Sequence, residues 1–302
     1  MMTIYPCSKI NLGLNIIGKR NDGYHNLETV LYPIPLCDQL ELIDIGHQSE
    51  NPLCTLEVDG ALLDCDPQRN LVVKAYELIA KEHGLPDIRV KLTKKIPSEA
   101  GLGGGSSDAV NMLKLLNEYF SLNISSPQMQ DYAVQLGADC SFFIHNKPCF
   151  ASGIGEKMEF LNTEDINLSS YYIGLVKPEI SISTKEAFSN IKPRPSTVSC
   201  KDIVKCPIKD WRYSLVNDFE HSIFQSHPSL GRIKEELYNM GALYAQMSGS
   251  GSTIFGIFSN EPHSMTQSFR DSFTFITKPV SYTHLTLPTI AAECRSRWSP
   301  DH

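Results

Sequence analysis

The chain has no pair of cysteines at Cys-x-x-Cys spacing, although nine cysteines are scattered through its 302 residues. That spelling offers neither a zinc site nor a thioredoxin-like motif. Scattered single cysteines behave as small apolar residues and fit a reducing, cytoplasmic compartment. No uninterrupted apolar run of about 18 residues occurs, so no transmembrane helix is expected. The opening Met1-Met2-Thr3-Ile4-Tyr5-Pro6 has no basic segment followed by an apolar stretch, so no secretory leader is expected. Positive charge is also in deficit: 27 Lys and Arg face 34 Asp and Glu, a formal net charge of −7. That balance argues against a nucleic-acid or anionic-membrane partner, either of which favours a basic patch. An anionic nucleotide is not excluded, because local backbone N–H groups and a few cations suffice to hold it. With 41% hydrophobic and 20% charged residues, the chain has ordinary globular composition. Its length allows two domains or one large one, with a core that needs no disulfide or structural metal.

Hydrophobic periodicity gives the coarse architecture. Ile10, Leu12 and Leu14 alternate with polar or small residues as in a strand, and Asn21-Asp22-Gly23 reads as a turn. Residues 39–45, 54–58 and 88–92 are further candidate strands. Leu71 to Glu82 repeats at helical spacing behind Asn70, a natural N-cap. Ser106 to Phe120 carries one apolar stripe through Ala109, Met112, Leu113, Leu116 and Phe120. Ser126-Pro127 reads as N-cap and first position of another helix, ended by Gly137. The second half is less sharply patterned: a strand over 171–176, a loop over 192–196, a helix over 229–240 and a strand, glycine turn and strand over 245–258. A soft boundary falls near 155–165, and no internal repeat is present. Residues 280–302 follow neither period and are expected to be a disordered or non-native tail without functional weight.

The most informative segment is Pro97-Ser98-Glu99-Ala100-Gly101-Leu102-Gly103-Gly104-Gly105-Ser106-Ser107. Four glycines in five positions cost backbone entropy that a packed element would avoid. They make sense where the main chain must approach a ligand, and here they lead into a helix N-terminus. The first N–H groups of that helix have no internal partner, and the macrodipole puts partial positive charge there, so phosphate is the natural occupant. Ser106 and Ser107 add hydroxyls. A plain glycine hinge with a serine cap is the alternative. The spelling is not a Walker A loop, a dinucleotide fingerprint or a protein-kinase set.

With three further blocks, the segment resembles the GHMP kinases, the group of galactokinase, homoserine kinase and mevalonate kinase. The blocks are Ser8-Lys9-Ile10-Asn11-Leu12-Gly13-Leu14 with Asn21-Asp22-Gly23-Tyr24-His25; Leu136-Gly137-Ala138-Asp139 with Phe142-Phe143 and Gly153-Ile154-Gly155-Glu156; and Gly249-Ser250-Gly251-Ser252-Thr253. They occur in the family's order over about residues 5 to 258 and are most similar to the branch acting on a cytidine diphosphate derivative of methylerythritol. Cys140-Ser141 departs from the Val-Pro that relatives often carry. The resemblance implies an α+β, two-domain GHMP kinase fold: an N-terminal domain over 1–158, a mixed C-terminal domain over 159–279 and a deep cleft between them.

The same resemblance implies an ATP-dependent enzyme of isoprenoid biosynthesis. It would use Mg²⁺, bind ATP on Pro97 to Ser107 and take a small-molecule substrate, with no nucleic-acid or membrane partner. The metal ligands and oligomeric state stay open. Lys9 and Asp139 become the catalytic pair, and which of them takes the proton is undecided. Read alone, Lys9 is a charge on an apolar strand and Asp139 a turn former. Asn11 lies two residues from Lys9, hence on the same strand face, and would position the alcohol. Tyr24, His25 and Phe188 would recognise the cytosine base, with Thr184 a nearby hydroxyl; Phe188 could equally be a core residue. Asn70 and Lys94 are weaker candidates for the adenosine side, and Gly249–Gly256 for a second glycine wall. Two alternatives remain: another GHMP kinase, of homoserine or mevalonate type, and a non-catalytic nucleotide sensor.

Overall fold

The computed structural model describes residues 2–48, 51–60, 70–189, 191–193 and 198–279. They form an α+β structure built on three four-stranded sheets. The first sheet has the order β1 (Met2–Ile4), β4 (Gln39–Ile45), β6 (Ile88–Lys94), β5 (Cys54–Gly60), all antiparallel except the parallel β5/β6 pair. Helices α1 (Leu71–His83), α2 (Gly104–Tyr119) and α3 (Ser126–Leu136) bury their apolar stripes on it, so that Leu40, Val90 and Leu92 meet Tyr76, Met112 and Leu116. The second sheet runs β2 (Cys7–Lys19), β3 (His25–Cys37), β7 (Cys149–Gly153), β8 (Lys157–Phe160). The third is antiparallel: β10 (Tyr244–Met247), β11 (Ile254–Phe258), β9 (Tyr172–Lys177), β12 (Phe273–Thr277). A hydrophobic cluster spans the second and third sheets, joining Ile10, Leu12 and Tyr32 to Leu175, Trp211 and Phe255. The two halves of the chain therefore share a core, and the short helix α4 (Cys140–His145) sits beside it with Phe142 and Phe143 buried.

The longest hairpin was the least legible. β2 and β3 pair over almost their whole length, with three register irregularities. Ten successive residues of β2, Cys7 to Ile16, are buried, so both faces are covered and simple polar–apolar alternation fades. His25, two residues beyond the Asn21-Asp22-Gly23 turn, begins β3 opposite Lys19. Pro33 and Pro35 hide β3 from a sequence reading because they donate no ladder bond. Both lie beyond the Leu27–Leu31 stretch that pairs with β7, so no partner on that side is lost. Helix α2 begins inside the glycine run, two residues before Ser106. Helix α3 is capped by Ser125, not Ser126: the Ser125 N–H donates to Gln128 Oε1 at 3.0 Å, a capping-box contact.

Cys7 and Cys37 lie opposite each other in the hairpin and are joined as a disulfide, so not all the cysteines are single. No described helix is long and apolar enough to cross a membrane. The expected tail over 280–302 and part of the 192–196 loop lie outside the described residues.

Candidate active site

The glycine-rich segment is the connection from β6 to α2. Ser107 N–H donates to Gly103 O at 2.9 Å and closes the first helical turn. This leaves the N–H groups of Gly104, Gly105 and Ser106 without helical acceptors. Two glycines are required by geometry. Gly101 has φ 72°, and a Cβ there would lie 1.9 Å from Ser248 O; Gly103 has φ 70°, and its Cβ would lie 2.8 Å from the Phe143 ring. Pro97 to Ser106 line a cavity of about 630 Å³, whose walls also include Asn70, Lys94, Asp108, Thr184 and Ser250. Ser107 departs from expectation. It is fully buried and its hydroxyl donates to Cys7 O at 2.7 Å, so it faces the protein and not the cavity.

At the mouth of this loop stands Lys9, only 3% exposed. Its ammonium donates to Asn11 Oδ1 at 2.7 Å and to Gly101 O at 3.0 Å, and lies 3.5 Å from Asp139 Oδ2. The backbone ties the same parts together, because Lys9 N–H donates to Leu102 O at 3.0 Å. Asn11 is fixed in turn: its amide donates to Thr29 Oγ1 at 3.0 Å, and its backbone N–H to Ser248 Oγ at 3.2 Å. Ser248 Oγ also donates to Gly101 O at 2.9 Å. Asp139 sits at the N-cap of α4 with its side chain about half exposed (48%). One buried cation and one accessible carboxylate thus stand 3.5 Å apart beside the Gly101 carbonyl of the loop. The Cys140-Ser141 departure is mild here, since both residues lie in the first turn of α4, where a proline would also be accommodated.

The sequence reading missed the charge cluster behind the loop. Lys94 Nζ binds Asp108 Oδ2 at 2.7 Å and also Asp38 Oδ2. Asp38 Oδ1 accepts the N–H groups of Lys95 (2.5 Å) and Ile96 (2.8 Å). Lys94, a weaker candidate for the adenosine side, lines the cavity, and two carboxylates occupy its ammonium. Asp38 had no readable signal: it is one acidic residue at a strand junction, 56 positions from its partner. Asn70 lines the cavity while its side chain accepts Val72 N–H at 2.9 Å as the cap of α1.

On the other side, His25 and Phe188 stack with ring centroids 5.0 Å apart and planes 21° from parallel. Phe188 comes from α5 (Thr184–Ser189) and rests edge-on against Phe219 at 4.9 Å. It is both a partial core residue and a ring facing His25. Tyr24, in the turn before β3, is 61% exposed. Thr184 heads α5, which also carries Phe188, and lines the glycine-loop cavity. Ser250 and Gly251, between β10 and β11, also line the cavity, so the late glycine run is at once a tight strand connection and a cavity wall. Among the described residues, no group of three His, Cys, Asp or Glu side chains could hold a metal.

Fold and site together define a small-molecule kinase of the GHMP class. Family models described as the GHMP kinases N terminal domain and GHMP kinases C terminal match residues 70–147 and 210–267. A curated relative from Bacteroides fragilis, a 4-diphosphocytidyl-2-C-methyl-D-erythritol kinase, is 49% identical over 277 residues, covering 92% of this chain and 99% of its own. The crystal structure of a 4-(cytidine 5'-diphospho)-2C-methyl-D-erythritol kinase superposes with TM-score 0.77 at 26% identity, covering 91% of this chain and 98% of that one. A mevalonate kinase structure reaches TM-score 0.65 at 13% identity, over 92% of this chain and 98% of its own, a likeness of fold alone. The chain belongs to the family of 4-diphosphocytidyl-2-C-methyl-D-erythritol kinases within the GHMP kinases.

Proposed function

We propose that the chain transfers the γ-phosphoryl group of ATP to the 2-hydroxyl of 4-diphosphocytidyl-2-C-methyl-D-erythritol, a step of the methylerythritol phosphate route to isoprenoid precursors. The observation that carries this reading is the meeting of Lys9 and Asp139, 3.5 Å apart, at the mouth of the glycine loop. Phosphoryl transfer asks the protein mainly for positioning and charge stabilisation. The free N–H groups of Gly104 to Ser106 and the α2 dipole receive the phosphates of the nucleotide. Asp139 orients the substrate hydroxyl and is available for its proton. The Lys9 ammonium stabilises negative charge as it develops between acceptor and donor. Asn11 fixes the Lys9 side chain from one side and the Gly101 carbonyl fixes it from the other.

When bound, Mg²⁺ neutralises phosphate oxygens. The lack of an all-protein ligand set among the described residues fits a cation held largely by the nucleotide and water. His25, Tyr24 and Phe188 form the recognition site for the cytosine base, which offers a face for stacking and an edge for hydrogen bonds. The halves 1–158 and 159–279 serve as the two domains that hold donor and acceptor. We place the enzyme in the cytoplasm; the paired Cys7 and Cys37 remove the argument from single cysteines, so this rests on the metabolic role.

The test is ADP release from ATP with the diphosphocytidyl alcohol, beside homoserine and mevalonate. Turnover only on the first supports the reading. Preference for either small acid would move the chain to another GHMP activity, and nucleotide binding without turnover on any alcohol would make it a sensor.

A further inference from the structure

Two carboxylates and a single ammonium meet behind the phosphate loop, and they are not equally satisfied. Asp38, from the junction of β3 and β4, is fully buried and takes three donors: the N–H groups of Lys95 and Ile96, and the Lys94 ammonium. Asp108, in the second turn of α2 and 3% exposed, takes one: Lys94 Nζ on Oδ2, at 2.7 Å. Its Oδ1 is buried with no hydrogen-bond partner among the described residues. With all three groups ionised the cluster carries one uncompensated negative charge, and the unpaired oxygen belongs to Asp108. Burying such an oxygen is costly, and protonation relieves the cost.

Around Asp108, the charges that act on it are Lys94 at the end of β6 and Asp38 at the β3–β4 junction. Burial raises its proton affinity most, the Lys94 charge lowers it and Asp38 raises it, and together they push the carboxyl up to about 7. Asp108 also lines the cavity that the glycine loop encloses. A polyphosphate on the N–H groups of Gly104 to Ser106 places more negative charge within about one helical turn of it, and like charge disfavours the ionised carboxylate.

We propose that Asp108 takes up a proton from solvent when a nucleoside di- or triphosphate enters the loop, and returns it when the nucleotide leaves. Nucleotide affinity is thereby linked to pH through a buried carboxyl behind the loop. This rests on the loop being the nucleotide site, as proposed above.

The experiment is calorimetry of ADP binding to the full chain at pH 7.5, in PIPES, HEPES and Tris, whose ionisation enthalpies differ. The wild type should take up roughly half a proton more per ADP than Asp108→Asn, as expected for a carboxyl driven upward through the working pH. Titration of ADP itself contributes equally to both proteins and cancels. Equal proton counts overturn the linkage while leaving the nucleotide site intact. Failure of ADP to bind the wild type overturns the site assignment and this inference with it. Should Asp108→Asn not fold, carboxyl ¹³C spectra of Asp-labelled wild type decide. One resonance must titrate near neutrality and move to higher pH with ADP, and its absence refutes the proposal.

Discussion

Replacing Lys9 by Met separates the chemistry of this site from its packing. The ammonium is 3.5 Å from Asp139 Oδ2 and 3.0 Å from Gly101 O, between the carboxylate and the loop. A unit charge developing about 4 Å from it, at an effective dielectric constant of about 20, is stabilised by about 4 kcal/mol. At about 1.36 kcal/mol per factor of ten, Lys9→Met should lower kcat by about 10³-fold. The structural cost is smaller. Gly101 O keeps the Ser248 hydroxyl at 2.9 Å, and Asn11 keeps its Nδ2 contact to Thr29 at 3.0 Å while its buried Oδ1 loses the Lys9 donor, at about 1–3 kcal/mol. Met fills most of the volume and removes a buried charge whose desolvation costs several kcal/mol. The melting temperature should therefore move by about 5 °C or less. ADP affinity, read by calorimetry, should stay within about tenfold, because the loop N–H groups are untouched. Steady-state ADP release gives kcat. Turnover within about tenfold of wild type would refute the role of the ammonium, and loss of folding in step with activity would refute the separation.

Gly101→Ala should cost several-fold to a hundredfold in nucleotide affinity: φ 72° is strained for Ala by about 1–2 kcal/mol, and the new Cβ meets Ser248 O at 1.9 Å. An unchanged ADP dissociation constant would contradict this. Phe188→Ala should raise KM for the diphosphocytidyl alcohol about tenfold or more with little change in KM for ATP, since stacking on one base is worth about 1–3 kcal/mol; equal changes in both constants would point to a packing role only. Lys114, which donates to Phe143 O at 2.7 Å, is pushed down to about 8 by burial from an ordinary 10.5. The unfolded chain therefore binds more protons between these values, and stability from this group rises as pH climbs from about 8 to about 10.5. Urea midpoints should accordingly shift in favour of wild type over Lys114→Met across that interval, and parallel midpoints would exclude the effect.

Local chemistry wrote the α2 entry into the sequence. Four glycines before an apolar helical stripe have few structural uses other than a close backbone approach to a ligand, and Pro97 to Ser106 line a cavity. Lys9 and Asn11 were readable as neighbours because strand residues two apart share a face, as their 2.7 Å contact shows. The β2–β3 hairpin was not readable. Burial on both faces erases alternation, and the prolines of β3 look like loop residues until the extent of β7 pairing is known.

Everything that depends on distant residues facing one another was set by the tertiary structure. The outcome for Ser107 illustrates this: read from the sequence, its hydroxyl is expected to face a phosphate, and the packing of β2 turns it toward Cys7 O. Asp38 is a lone acid between two strands until the first sheet brings it under Lys95 and Ile96. The approach of Lys9 to Asp139, and of His25 to Phe188, likewise joins positions far apart along the chain. Periodicity and backbone chemistry act over a few residues, and these the amino-acid order alone determined. Which charges share a buried space, and which stay unpaired there, is decided only when the sheets close on one another and exclude water.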